Sequence, residues 1–247
     1  MSIDNERLYE REQETALTLQ RSLLAAVQLT VRGFDLAVNY RPTPGELELI
    51  GGDWYDAVTR PDGQLVLMVG DVVGHGLPAA TTMGQLRSAG RALALTVADP
   101  GDLLVHLDAF ASHTPGAASA TVVCVIANPD GGELRYACAG HPPPLVVAGG
   151  RPTFLGEGRS VPLATFAAPA RTSARASLMR DDALLLYSDG LIERRGEGLE
   201  VGMERLASAL TAFGAAPAAE VAEGIAAAVL GDVAQRDDIA VLVARRA

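Results

Sequence analysis

Residues 51–76, GGDWYDAVTRPDGQLVLMVGDVVGHG, decide the fold. Two apolar runs, Trp54 to Thr59 and Gln64 to Val72, have the length and residue types of strands, and Pro61-Asp-Gly63 between them is a hairpin turn. A hairpin joins its strands antiparallel, whereas a doubly wound parallel sheet needs a helix after nearly every strand. Both runs are bordered by an aspartate beside glycine, Asp53 before the first and Asp71 at the end of the second.

Upstream, Phe34, Leu36, Val38 and Tyr40 alternate along one face of a strand stopped by Pro42-Thr-Pro44-Gly45, and Leu47 to Ile50 reads as another short strand. Before these, Asn5 to Val27 lacks Pro and Gly and places Leu8, Leu17, Leu19, Leu23, Leu24 and Val27 at helical spacing. This is an amphipathic helix that packs on the domain or pairs with a partner or a second copy. Downstream, Leu77 to Val97 is helical, Asp99-Pro100-Gly101 separates it from a second helix, Asp102 to Ala111, and strands resume at Ala120 to Ala127, Glu133 to Ala139, Leu145 to Val147, Thr172 to Leu178 and Ala183 to Ser188. Asn128-Pro-Asp-Gly131 is a further hairpin signal. Two Ala-rich helices, Gly202 to Phe213 and Pro217 to Leu230, precede a last strand, Ile239 to Ala244. Hairpin-linked strands interrupted by helix pairs fit two antiparallel sheets packed face to face and covered by helices, an α+β fold. Gly149 to Ala176, rich in small residues and proline, is the expected place for a mobile flap.

The 247 residues suffice for a large buried core, and a formal charge of −10 argues against nucleic acid or an anionic membrane surface as partner. The apolar runs fall well short of the roughly 20 residues of a membrane span, and the charged segment Ser2 to Gln20 is unlike a signal peptide. A cytoplasmic protein is expected, with Cys124 and Cys138 as buried small hydrophobes rather than a disulfide. The chain contains no lysine, which excludes a phosphate-loop lysine, a kinase strand lysine and a Schiff base. The arginine six positions after the cysteine that a cysteine-dependent phosphatase needs is absent, since Asp130 and Pro144 stand there. No serine-hydrolase elbow, zinc-protease helix or CxxC pair is present.

Four clusters repeat one design, a carboxylate where a strand ends: Gly51-Gly-Asp53, Gly70-Asp71, Ser188-Asp189-Gly190 and Arg236-Asp237-Asp238. Any one of them is an ordinary turn former. Asp71 and Asp189, however, follow strongly apolar strands whose ends should be half buried, where an unpaired carboxylate is costly. Bound Mg²⁺ or Mn²⁺ would neutralise several converging carboxylates, and two such ions about 3.5–4 Å apart can bind a phosphoryl group and activate a water.

At these motifs the chain resembles the metal-dependent serine/threonine phosphatases of the protein phosphatase 2C-like superfamily, in their bacterial SpoIIE-type branch. The elements that carry the resemblance are Leu19-Gln-Arg-Ser-Leu-Leu24, Gly51-Gly-Asp-Trp-Tyr-Asp56, Gly70-Asp-Val-Val-Gly-His-Gly76, Ala139-Gly-His-Pro-Pro-Pro-Leu145, Leu186-Tyr-Ser-Asp-Gly-Leu-Ile-Glu193 and Asp237-Asp-Ile-Ala-Val-Leu242. The resemblance implies a four-layer αββα sandwich with two Mn²⁺ or Mg²⁺ ions at one end. In that arrangement Asp71 bridges the ions, Asp53 and the Val72 carbonyl serve one ion, and Asp189 and Asp237 serve the other. Asp56 and Asp238 are candidates for bonds to metal waters. His75 would protonate the leaving serine oxygen or brace its loop, and His141 fixes a turn. The implied substrate is a phosphoserine or phosphothreonine protein, an anti-sigma-factor antagonist, with residues 1–28 as a regulatory or dimerising helix ahead of a phosphatase domain, 29–247. A non-catalytic phosphoprotein-binding module of the same fold and a hydrolase of small phosphate esters are the alternatives. The sequence departs from the pattern at Pro162-Leu-Ala164, where relatives often have glycine after the leucine.

Overall fold

A computed structural model of the chain describes residues 30–43, 51–130, 132–166 and 170–247. The expected helix from Asn5 to Val27 and the strand from Leu47 to Ile50 lie outside these residues. The strands are β1 (Thr30–Val31), β2 (Phe34–Arg41), β3 (Trp54–Thr59), β4 (Leu65–Asp71), β5 (Thr121–Ala127), β6 (Glu133–Ala139), β7 (Leu145–Ala148), β8 (Arg151–Phe154), β9 (Arg159–Ser160), β10 (Ala174–Ser177), β11 (Ala183–Tyr187) and β12 (Ile239–Arg246). The helices are α1 (Gly76–Ala94), α2 (Pro100–Ala111), α3 (Leu199–Ala212) and α4 (Ala218–Leu230).

One sheet runs in the order β1-β2-β12-β11-β7-β8 and the other β10-β6-β5-β4-β3, with β9 also beside β6. The pairings are antiparallel except β6 with β9. Leu65 to Val69 of β4 are buried on both faces, which is why this strand reads as a continuous apolar run rather than an alternation. One face meets the opposite sheet, and the other lies under helices. Trp54, Met68, Met83, Leu86, Leu103 and Leu107 belong to an apolar cluster that joins both sheets to α1 and α2. Leu185, Tyr187, Leu206, Val221, Ile225 and Val243 belong to a second, between the first sheet and α3 and α4. The layers are therefore helix, sheet, sheet, helix, the αββα sandwich expected.

Two expectations need correction. Asp99-Pro100-Gly101 starts α2 instead of merely preceding it: the Asp99 side chain accepts from Gly101 N at 2.8 Å and Asp102 N at 3.3 Å, with Pro100 in the first turn, where its missing N–H costs nothing. Between Gly149 and Ala176, the described residues 149–166 and 170–176 include strands where a flap is expected. Arg151–Phe154 folds back on β7 through Gly149 and Gly150, and Arg159–Ser160 joins β6. Arg171 ties the segment down, donating to Ser160 Oγ at 2.7 Å and the Val161 carbonyl at 2.9 Å and pairing with Asp108 of α2. Cys124 and Cys138 are free and buried. Among the described residues no helix is long and apolar enough to cross a membrane.

Candidate active site

The antiparallel register assembles the site. Trp54 pairs with Gly70, so Asp53 and Asp71 flank one end of the β3–β4 hairpin. In the facing sheet Tyr187 pairs with Val241, which places Asp189 and Asp237 at the neighbouring ends of β11 and β12. β11 and β12 lie against β3 and β4, so the four carboxylates arrive at one end of the sandwich from four strand ends. Glycines permit the close backbone approach there. A Cβ on Gly52 would stand 2.0 Å from the Val72 carbonyl oxygen, and one on Gly190 would stand 2.1 Å from that of Asp238.

The placement of these carboxylates sets their electrostatics. Burial pushes Asp53 well above the ordinary carboxylate range, and the charge of Asp71 adds to it, with smaller contributions from Asp189 and Asp238. Asp71 is raised to about 7, first by burial and then by the charges of Asp189 and Asp237, partly offset by a side-chain hydrogen bond with Asp53. Asp189 is raised by burial and by Asp237, and Asp237 by burial and Asp238. Asp53 Oδ2 is buried without a hydrogen-bond partner. Such a set of oxygen donors, with an orphaned buried carboxylate oxygen and mutual repulsion, fits a hard divalent cation. Among the described residues no three acidic, histidine or cysteine side chains already stand at metal-ligand spacing.

Asp238 belongs to this end of the molecule. It is buried and accepts from Tyr40 Oη at 2.6 Å, Thr43 N at 2.7 Å and Thr43 Oγ1 at 2.9 Å, which fixes the turn that carries Asp237. Asp56 does not join the cluster. It lies fully buried on the opposite face of β3, paired with Arg87 at 3.5 Å and Arg91 at 2.5 Å on α1. Two cations already compensate it, and it points away from the site. His75 occupies the cap position of α1 without a side-chain cap bond, is exposed, and lowers the pKa of Asp237 through its charge. His141 is buried, 2.8 Å from Thr121 Oγ1 and 3.1 Å from the Tyr187 carbonyl, and burial depresses its pKa to about 3.

Ser188 and Gln235 escaped the sequence reading. Ser188 stands beside Asp53 and lowers its pKa, while its Oγ accepts from Ala240 N at 2.9 Å. Gln235 Nε2 donates to the carbonyls of Arg41 at 2.9 Å and Asp237 at 2.8 Å. For Ser188 the only sequence signal is adjacency to Asp189; for Gln235 there is none. Two clefts open beside the carboxylates: one of about 410 Å³ bordered by Gly190, Arg195, Arg236 and Asp237, and one of about 260 Å³ bordered by His141, Arg159, Asp189 and Met203.

The fold and sequence have relatives among known proteins. The chain is 25% identical over 239 residues to the phosphoserine phosphatase RsbU of Bacillus subtilis (strain 168), covering 95% of this chain and 70% of that protein. It is 32% identical, with a TM-score of 0.80, to the RsbU and RsbW domains of Rv1364c from Mycobacterium tuberculosis, covering 90% of this chain but only 64% of that one. The SiaA-PP2C domain of Pseudomonas aeruginosa, 22% identical, has the same fold, with a TM-score of 0.79 and full coverage of both chains. The family model for stage II sporulation protein E (SpoIIE) matches residues 61–247, a span that takes in Asp71, Asp189 and Asp237, and the chain belongs to the SpoIIE family.

Proposed function

We propose that this chain is a metal-dependent protein phosphatase that hydrolyses phosphoserine or phosphothreonine directly by water. The observation that carries this reading is the approach of four carboxylates from four strand ends, Asp53 buried, Asp71 and Asp189 half-buried and Asp237 exposed, one with an orphaned oxygen, at a cleft-bearing end of the sandwich. Asp53, Asp71, Asp189, Asp237 and the Val72 carbonyl would hold two Mn²⁺ or Mg²⁺ ions. Bound ions of this kind supply charge neutralisation at the phosphoryl group and lower the pKa of a coordinated water. The chain's own residues set the geometry: Ser188 orients Asp53, and Asp238, held by Tyr40 and Thr43, supports Asp237. To His75, exposed beside Asp237, we assign either protonation of the leaving oxygen or bracing of its loop.

RsbU of Bacillus subtilis is a phosphoserine phosphatase, and this likeness favours a phosphoprotein substrate for the present chain, in the class of anti-sigma-factor antagonists. Residues 1–28 we assign to self-association or to a regulatory partner. A chain lacking them that is still monomeric, with turnover unchanged from the parent's, would oppose that assignment. For the catalytic reading, the test is Mn²⁺-dependent phosphate release from an aryl phosphate, lost with chelator and in Asp71→Asn. Activity that persists in chelator would refute it.

A further inference from the structure

We propose that His141 is a positioning residue: a strut that fixes the distance between the two halves of the carboxylate set. The inference rests on the metal-site reading above. His141 follows β6 in a turn opened by Gly140 at φ +67° and is 1% exposed. Its Nε2 faces the Tyr187 carbonyl oxygen at 3.1 Å. A carbonyl only accepts, so Nε2 carries the proton, and Nδ1, at 2.8 Å, accepts the hydroxyl proton of Thr121. Both ring nitrogens are thereby committed in a single neutral tautomer, and neither is left to exchange a proton with substrate.

The two partners give the strut its meaning. Thr121 is the register partner of Asp71 across β4 and β5. Tyr187 ends β11, two residues before Asp189. One rigid planar ring thus links the strand pair that ends in Asp71, in one sheet, to the strand that delivers Asp189, in the other. Backbone pairing fixes positions within each sheet but not between them, and apolar side chains packed between sheets can slide. A directional bond at each end of an inflexible ring resists that sliding at the point where a misplacement would separate the two carboxylates. An arrangement that only closed a turn would bond within its own turn; His141 instead reaches two other strands.

The experiment titrates the full chain with Mn²⁺ and follows the rise in Tm, for the parent, His141→Ala, His141→Gln and Thr121→Val. Loss of an outer hydrogen-bond partner that orients a ligand typically costs about 10–100-fold in metal affinity. His141 bonds no ligand directly, so His141→Ala should raise the Mn²⁺ concentration for half-maximal stabilisation by about three- to tenfold, at or below the lower end of that range. Thr121→Val should move it in the same direction by less, and His141→Gln, which keeps a donor and an acceptor, should recover part of the loss. Thr121→Val carries the test if His141→Ala does not fold. A lower metal-free Tm with an unchanged Mn²⁺ midpoint in the variants would overturn the strut and leave His141 as a turn residue. A parent chain with no Mn²⁺ response would overturn the metal reading, and this inference with it.

Discussion

Asp71→Asn should stabilise the metal-free protein, and by an amount that depends on pH. In the folded chain burial and the charges of Asp189 and Asp237 raise Asp71 from an ordinary 3.8 to about 7. Between these values the folded state holds a proton that the unfolded state has released, so stability falls as pH rises through this window and levels off above it. Moving one carboxyl that far corresponds to about 4 kcal/mol as an upper bound. Partial exposure and the sharing of charge among neighbouring carboxylates reduce it, so about 1–3 kcal/mol is the expected gain for Asp71→Asn at pH 8. Urea unfolding in chelator, from pH 4.5 to 8, measures this directly. The advantage of the variant should be small at pH 4.5, widen towards pH 7 and then hold. Mn²⁺ should reverse the order at pH 8, because the parent carboxylates gain a cation that the amide cannot bind as well. A variant less stable than the parent at pH 8, or a difference that does not change with pH, would refute the claim that these charges repel one another in the metal-free site.

Three further outcomes separate structural from functional groups. Asp56→Ala should destabilise by about 3–5 kcal/mol, because it leaves Arg87 and Arg91 without their buried partner, yet urea midpoints will move while the Mn²⁺ midpoint of the thermal titration stays at the parent value. Arg171→Ala strips the buried Asp108 carboxylate of its cation and should cost about 3–5 kcal/mol in chemical denaturation. Ala164 sits at φ +51°, the left-handed region that costs an L-residue about 1–2 kcal/mol, so Ala164→Gly should gain about 0.5–1 kcal/mol after the entropy of glycine is set against it. In a chain of this size that is a rise in Tm of about 1–4 °C, and a fall would contradict the strain.

What the sequence made legible was local. Asp71 and Asp189 stood out because a carboxylate directly after a fully apolar strand has few ways to avoid a burial cost, and the glycines beside Asp53 and Asp71 marked places where backbones come close. The departure at Ala164 was also visible, and its positive φ is a conformation that glycine adopts without steric cost. The facing of Asp56 is fixed by strand parity. Side chains alternate faces along a strand, and three positions separate it from Asp53, so the two carboxylates had to face opposite ways if the extended backbone runs through both. The β3 sequence already contained that parity.

The remaining residues were hidden for a different reason. Arg171 with Asp108, His141 with Thr121 and Tyr187, and Ser188 with Ala240 are pairs whose members belong to different strands, helices or sheets, and nothing in their neighbourhoods in sequence names the partner. Local pattern predicts which elements form; only the tertiary assembly of strands, loops and helices decides which polar atoms meet. The division has a physical consequence for the site. Its charged residues raise the free energy of the fold they occupy, so they must be held by groups that gain from being buried together, and of these His141 reaches from one sheet to the other. The carboxylates can then be read from the strands that carry them, while the framework that keeps them facing one another exists only in the assembled sandwich.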